Sequence, residues 1–331
     1  MILDGASPQA IAQAVDALQR GELVGLPTET VYGLAADACN EAAVAKIFAT
    51  KGRPANHPLI VHVASAHGVA DFAADVPAFA QRLMNALWPG PLTLILPRRL
   101  DVGAAAAGGQ NSIGLRCPAH PVALALLQAC AAQGIFGLAA PSANLFGRVS
   151  PTTAAHVQSE LGRDLLVLDG GACEVGIEST IIDCTRGAPV LLRPGQISRA
   201  HIEAACGMAV LDKDALQAPA PRASGTLESH YAPRAKVRLM AASDIAAKLQ
   251  ALGPHANNLG VWSAQRPASS DGLGAGVLWC AQPTTAEQAA HELFTVLRDL
   301  DARGVQQIWV QQPPDTPEWE GVRDRLQRAA A

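Results

Sequence analysis

Charge is scarce in this chain of 331 residues: Asp, Glu, Lys and Arg together make up 16% and leave a net charge of −4. A protein that coats a polyanion ordinarily carries a basic excess, so that class is disfavoured, while a local basic pocket for one nucleotide stays open. Long apolar stretches are also lacking. None approaches the ~18 residues of a membrane span, and the opening MILDGASPQA lacks the charged-then-apolar order of a signal peptide. The expectation is a cytoplasmic protein with no membrane partner. The seven cysteines (Cys39, Cys117, Cys130, Cys173, Cys184, Cys206 and Cys280) are scattered and never spaced Cys-x-x-Cys, which reads as reduced thiols rather than a disulfide frame or zinc site. There is no GxxxxGK[ST] loop, no GxSxG elbow and no HExxH, and the nine histidines never pair at metal-ligand spacing. Phosphate-loop chemistry, an elbow-type serine hydrolase and a zinc hydrolase are thereby set aside.

What is present is apolar. Hydrophobic residues make up 49% of the chain, enough for buried cores, and the length suggests two domains at roughly 100–200 residues each. Short β-rich runs alternate with Ala/Leu-rich helical stretches, the pattern of α/β architecture. Pro8 to Arg20 reads as a first helix stopped by Gly21. Strands are expected at Leu23–Leu26, Leu59–Val63, Leu92–Leu96, Ser112–Arg116, Ile135–Ala139, Leu165–Leu168, Thr180–Asp183 and Val190–Leu192. Helices are expected at Glu41–Thr50, Ala78–Leu87, Pro121–Ala132, Thr153–Leu161 and Ser198–Cys206. So many strands for so few helices point to a twisted, mixed sheet with helices around it.

Residues 211–235 are polar and proline-bearing, without a period, and read as a linker. Beyond it, strands Val237–Met240, Leu259–Trp262, Val277–Cys280 and Ile308–Val310 join helices at Ser243–Leu252, from Thr284 and from Glu318. Thr284 with Glu287 three residues on suggests a capping box, before a stripe of Ala286, Ala290, Leu293, Phe294, Leu297 and Leu300. The expected division is 1–210, a linker at 211–235, and a small Rossmann-like α/β domain over 236–331 with no glycine-rich phosphate loop.

Polar residues cluster where strands end. Pro27-Thr28-Glu29-Thr30 follows a strand, so a loop can present two hydroxyls and a carboxylate to a ligand. Lys51 and Arg53 close a helix before Pro54, and the next strand carries His62. Two cations so placed suit phosphate oxygens, or simply complement a helix C-terminus. Arg116 in SIGLRCP and Arg193 in LLRPG end buried strands, and each must meet a ligand anion or an internal carboxylate, or reach solvent. Pro141-Ser142-Ala143-Asn144 is either turn chemistry or a second polar loop. Glu178-Ser179-Thr180 precedes another strand. The residues alone support a nucleotide or small-anion site on an α/β protein.

The ordered series PTETVYGL, KGRP with PLIVHV, GLRCP, APSAN, ESTIID and LLRPG resembles the YrdC-like threonylcarbamoyl-AMP synthases, and HYAP plus the small domain resembles their long, two-domain form. The resemblance implies a twisted open sheet around a large concave cavity. It implies a nucleotidyltransferase that converts L-threonine, bicarbonate and ATP into threonylcarbamoyl-AMP and pyrophosphate for tRNA modification, passing the product to a tRNA threonylcarbamoyl-transferase. Carried over by motif, Lys51 and Arg53 are catalytic and meet the triphosphate. L-threonine falls to Thr30, His62, Arg116, the backbone at Ala140, and Ser179. The nucleotide falls also to Ser142, Asn144, Ser112, Ser150, Arg193, Tyr231 and His57, the last standing where the family commonly has asparagine. Mg²⁺ is expected through the ATP phosphates, with no metal site of protein ligands and no organic prosthetic group. Two other readings compete: a module binding double-stranded RNA or a ribosomal element, with weak RNA binding at the least, and a carbamoyl-transfer enzyme. Singly placed cations in an acidic chain speak against the first, and the absence of partner catalytic domains against the second.

Overall fold

The computed structural model describes residues 1–217, 219–226, 230–266 and 276–331. It divides into one unit of 1–146 and 150–226 and a second of 147–149 and the residues after 226. No helix of the described residues is long and apolar enough to cross a membrane.

The first unit is built on an eleven-stranded sheet. In chain order its strands are β1 (Ile2–Asp4), β2 (Val24–Leu26), β3 (Gly33–Asp37), β4 (Ile60–His62), β5 (Leu92–Pro97) and β6 (Ser112–Arg116). They continue with β7 (Leu138–Ala139), β8 (Leu166–Asp169), β9 (Thr180–Asp183), β10 (Val190–Arg193) and β11 (Leu211–Asp212). Their spatial order is β1-β8-β2-β3-β7-β4-β6-β5-β9-β10-β11, with parallel and antiparallel neighbours interspersed. The sheet is therefore mixed, as its strand-rich pattern predicts. Helices α1 (Pro8–Gln19), α2 (Glu41–Lys51), α3 (Ala78–Leu87), α4 (Pro121–Ala132), α5 (Ala154–Leu161) and α6 (Arg199–Cys206) supply the apolar faces of two cores.

Local chemistry sets the elements that carry the site. Asn40 caps α2 by accepting the Ala43 N–H, and Gly52 closes it at φ 61°, the left-handed conformation that glycine adopts without penalty. Lys51 and Arg53 thus sit on either side of a defined helix stop. Strands β4 and β6 are parallel, with His62 opposite Arg116 in register. Strand β10 runs antiparallel to β9, so Arg193 lies against Ile181 near the start of β9.

Strands β1, β3 and β11 are not foreseen by pattern. β3 reads GLAAD, small residues with little β-propensity that are buried between β2 and β7. Conversely the expected run Ile135–Ala139 pairs only at β7, because the Ile135 N–H bonds back to the Cys130 carbonyl at the end of α4.

The second unit holds a four-stranded, all-parallel sheet ordered β12-β15-β13-β14: β12 (Lys236–Met240), β13 (Leu259–Ser263), β14 (Val277–Ala281) and β15 (Gln307–Gln311). Its helices are α7 (Ala242–Leu252), α8 (Ala286–Ala302) and α9 (Glu320–Ala330). Helix α8 begins one residue later than its expected capping box. The chain is still tied to the sheet at Gln282, and Thr285, not Thr284, accepts from the Gln288 N–H. Ala289, not Ala286, completes its buried stripe. Pro317–Trp319 forms a short 3₁₀ turn before α9, so the closing helix starts two residues after Glu318. Of the expected linker, residues 218 and 227–229 lie outside the described residues. Leu211–Asp212 pairs with β10, and Arg222 exchanges hydrogen bonds with Gln110 within the first unit.

The Gly of LLRPG has a steric cause. A Cβ on Gly195 would sit 2.5 Å from the Thr180 nitrogen and 2.9 Å from the Glu178 carbonyl oxygen. Gly195→Ala is expected to lower unfolding free energy by about 1–3 kcal/mol, the usual range for overpacking. Urea titration checks this, and an unchanged midpoint would mean that the chain accommodates the methyl.

Candidate active site

A cavity opens among the strand ends of the first unit, walled in part by Thr30, Arg53, His62, Arg116, Ala140, Ser142, Ser179 and Arg193. Residues far apart in sequence converge here because β4, β6, β9 and β10 bring their polar ends to one side of the sheet.

Arg116 organises one wall. Its guanidinium lies 2.6 Å from a carboxylate oxygen of Glu29, and both side chains are buried. It also donates to the Thr30 hydroxyl at 2.8 Å and to the Gly90 carbonyl at 3.3 Å. The internal carboxylate, one of the partners open to it from sequence, is thus in place. The Thr28 hydroxyl, 2.9 Å from that of Thr30, donates to the Val31 carbonyl at 2.6 Å and knots the loop. His62, opposite Arg116, is buried. That burial, reinforced by the Arg116 charge, lowers its pKa from 6.5 to about 3, so the imidazole is neutral at physiological pH.

Facing them are cations tethered to carbonyls. Arg193 donates to the Ser179 carbonyl at 2.9 and 3.1 Å and to the Ser224 carbonyl at 3.1 Å. Arg53 donates to the Pro58 carbonyl at 2.8 Å and to the Ser224 hydroxyl at 3.2 Å, and its guanidinium lies 5.7 Å from the Phe146 ring centroid. Ser179 and Thr93 share a hydroxyl contact of 2.7 Å. Glu178 is the only carboxylate among the lining residues described, and the Ser150 hydroxyl donates to it.

The other expected residues lie off this wall. Lys51 is buried behind the Ser142–Asn144 loop, where its ammonium donates to the Ser142 and Asn144 carbonyls at 2.5 Å each. Desolvation, and then the charge of Arg53, hold its pKa well below the usual lysine range. Asn144 and Ser150 are buried beside the cavity. His57 packs edge-to-face on Phe146 at 5.5 Å; partial burial, then Arg53 and Arg222, lower its pKa. Ser112 lies at the opposite end of β6 from Arg116, about 13 Å of extended chain away. Tyr231 belongs to the second unit, buried under His230 and Phe294 with the Arg325 guanidinium 5.3 Å from its ring centroid.

Sequence reasoning leaves out Ser224, which bridges to Arg53, Arg193 and the Pro58 carbonyl. An aperiodic polar segment carries no signal of where it will dock. It also leaves unassigned Glu29 and Glu178, although both flank motif residues.

No group of three or more His, Cys, Asp or Glu that could hold a metal ion occurs among the described residues.

Residues 16–195 match the Sua5–YciO–YrdC family model, described as "Telomere recombination", and residues 197–331 match the model described as "Threonylcarbamoyl-AMP synthase, C-terminal domain". The threonylcarbamoyl-AMP synthase of Bacillus subtilis is 39% identical, covering 97% of this chain and 92% of its own. That of Pyrococcus abyssi is 37% identical, covering 95% and 92%. The crystal structure of P. abyssi Sua5 complexed with L-threonine superposes with a TM-score of 0.88 at 34% identity, covering 100% of this chain and 97% of that one.

Two variants probe this wall. Between pH 6.5 and about 3 the folded protein binds fewer protons at His62 than the unfolded chain does. Stability is therefore lost as pH falls through that window, by up to about 1.4 kcal/mol per unit. Urea unfolding from neutral pH down to about pH 5 should show this slope flattened in His62→Gln; parallel curves would mean that His62 does not supply it. Glu29→Ala strands a buried guanidinium, and a loss of about 3–5 kcal/mol is expected in the same assay.

Proposed function

The chain belongs to the Sua5–YciO–YrdC family in its two-domain form, and from that membership we infer that it is an L-threonylcarbamoyladenylate synthase, a nucleotidyltransferase of tRNA threonylcarbamoyladenosine synthesis. The observation that supports this most directly is the joining, on one cavity, of a buried Arg116–Thr30–His62 wall to a facing pair of tethered arginines, Arg53 and Arg193. One half suits an amino-acid zwitterion and the other a polyphosphate.

In this reading L-threonine, bicarbonate and ATP give threonylcarbamoyl-AMP, pyrophosphate and water. The threonine amine adds to carbon dioxide derived from bicarbonate, and a carbamate oxygen then attacks the α-phosphorus while pyrophosphate leaves. Carbamates are short-lived in water, so exclusion of solvent and close placement of the reactants carry the catalysis. Arg116 binds the threonine carboxylate through guanidinium N–H groups, and Glu29 keeps that guanidinium aligned. Thr30, neutral His62, Ser179 and the Ala140 backbone fix the amine and hydroxyl. Arg53 and Arg193 meet the phosphates, with Ser142, Asn144 and Ser150 as further polar groups of the nucleotide site. Lys51 holds the Ser142–Asn144 loop by its two carbonyls and adds positive potential behind the phosphates. His57, Ser112 and Tyr231 remain assigned to the nucleotide by motif alone. Mg²⁺ bound with ATP would neutralise phosphate charge, with Glu178 within the same wall.

Residues 1–210 form the catalytic domain in this proposal, 211–235 a linker or lid, and 236–331 a Rossmann-like docking or regulatory domain. The protein works in the cytoplasm and hands its adenylate to a tRNA threonylcarbamoyl-transferase.

Pyrophosphate release from ATP, measured with Mg²⁺ and bicarbonate, should depend on L-threonine and be lost in Lys51→Ala. Arg116→Lys should raise the threonine KM by about tenfold or more, as expected for loss of a bidentate contact, and spare the KM for ATP. Equal changes in both would remove Arg116 from the threonine site, and no threonine-dependent release at all would overturn the function.

A further inference from the structure

Strand β12 is an edge of the second sheet, paired on one side only, with β15. The Lys236 N–H donates to the Gln306 carbonyl and the Met240 carbonyl accepts from the Gln312 N–H, so Lys236, Arg238 and Met240 turn their backbone groups toward β15. By the alternation of a parallel ladder, the N–H and C=O groups of Val237 and Leu239 point the other way. No hydrogen bond from the described residues reaches that side.

A shallow, open hollow lies along this edge. All five residues of β12 line it, with Lys248 from α7 on one flank and Gln327, Ala330 and Ala331 at the end of α9 on the other. The space is where the next strand of the sheet would run, between the two helical layers. Lys236, Arg238 and Lys248 are exposed, and none of their side chains makes a hydrogen bond or ion pair among the described residues. Asp244, one helical turn before Lys248, makes no ion pair with it. Half-buried Leu239 and Met240 add apolar contact.

We propose that β12 is a docking edge for an extended, acidic segment of a partner protein, which adds to the sheet as a strand and sets its carboxylates against Lys236, Arg238 and Lys248. Main-chain pairing supplies affinity in strand addition, and side chains at every second position supply the selectivity. Lys236 and Arg238 stand two residues apart, so the matching segment carries acidic residues at alternate positions. Cations on an edge also repel the same edge of a second copy, which keeps the site open for a segment of opposite charge. A polyanion such as RNA would use the cations but leave the outward N–H and C=O groups unused, so a peptide accounts for more of the observations.

The test uses the full-length chain and a fluorescein-labelled peptide of alternating glutamate and valine, followed by fluorescence polarisation at about 0.1 M salt, where surface charges act over ~10 Å. Saturable binding is expected, weakened about tenfold or more in Lys236→Glu/Arg238→Glu. The same peptide N-methylated at alternate residues keeps its charge and loses its strand-pairing N–H groups, and it should fail to bind. Threonine-dependent pyrophosphate release in the double variant should be unchanged, which shows that it is folded. No binding of the unmodified peptide overturns the proposal. Equal binding of the N-methylated peptide reduces the site to charge attraction and overturns it. Tighter binding of oligouridylate, lost in the same variant, makes this a nucleic-acid face and overturns it as well.

Discussion

A guanidinium cannot stay charged inside a protein without a partner, and the burial of Arg116 imposes that condition on the first unit. Desolvating an isolated ion costs several kcal/mol even after relaxation. Glu29 meets the demand at 2.6 Å, and the Thr30 hydroxyl and Gly90 carbonyl fill further positions around the fork. The loop after β2 is thereby drawn to the end of β6, and a segment from early in the chain becomes a wall of the cavity. His62 follows from the same arrangement, because its strand pairs with β6 in register and the Arg116 charge helps keep the imidazole neutral. One ion pair thus links the conformation of the loop after β2 to the end of β6, beside a cavity-lining imidazole kept neutral.

The opposite wall applies a different solution to the same difficulty. Arg53 and Arg193 are buried, and carbonyls of Pro58, Ser179 and Ser224 accept hydrogen bonds from their guanidinium groups. Neutral carbonyls stabilise a buried cation with fixed dipoles and need no second charge to do so. Lys51 extends this behind the Ser142–Asn144 loop.

Among its described residues the second unit shows no such polar concentration at its strand ends. Its helix α8 buries Ala289, Ala290, Leu293, Phe294, Leu297 and Leu300 against a parallel sheet, and Tyr231 is packed into the same unit at φ 63°. Three of its exposed cations, Lys236, Arg238 and Lys248, line the β12 edge instead.

Much of the architecture was legible in the amino-acid order. Ser112–Arg116, Thr180–Asp183, Ala78–Leu87 and Pro121–Ala132 form the elements their patterns predict, to the residue. Periodicity, caps and turn residues are local, and they act within a few positions of the chain. The motif series likewise identified the family, because motif identity and order are properties of the linear chain. What local pattern could not supply was any feature decided by a distant partner. GLAAD becomes β3 because β2 and β7 flank it; Thr285 rather than Thr284 caps α8 because Gln282 is held by the sheet; Ser224 enters the cavity because Arg53 and Arg193 receive it. The sequence by itself determined which residues are polar, where strands end and which family the chain joins. Only the tertiary structure decided which of those polar groups share a cavity, since the pairing of buried charges and the register of strands depend on contacts made across more than eighty residues.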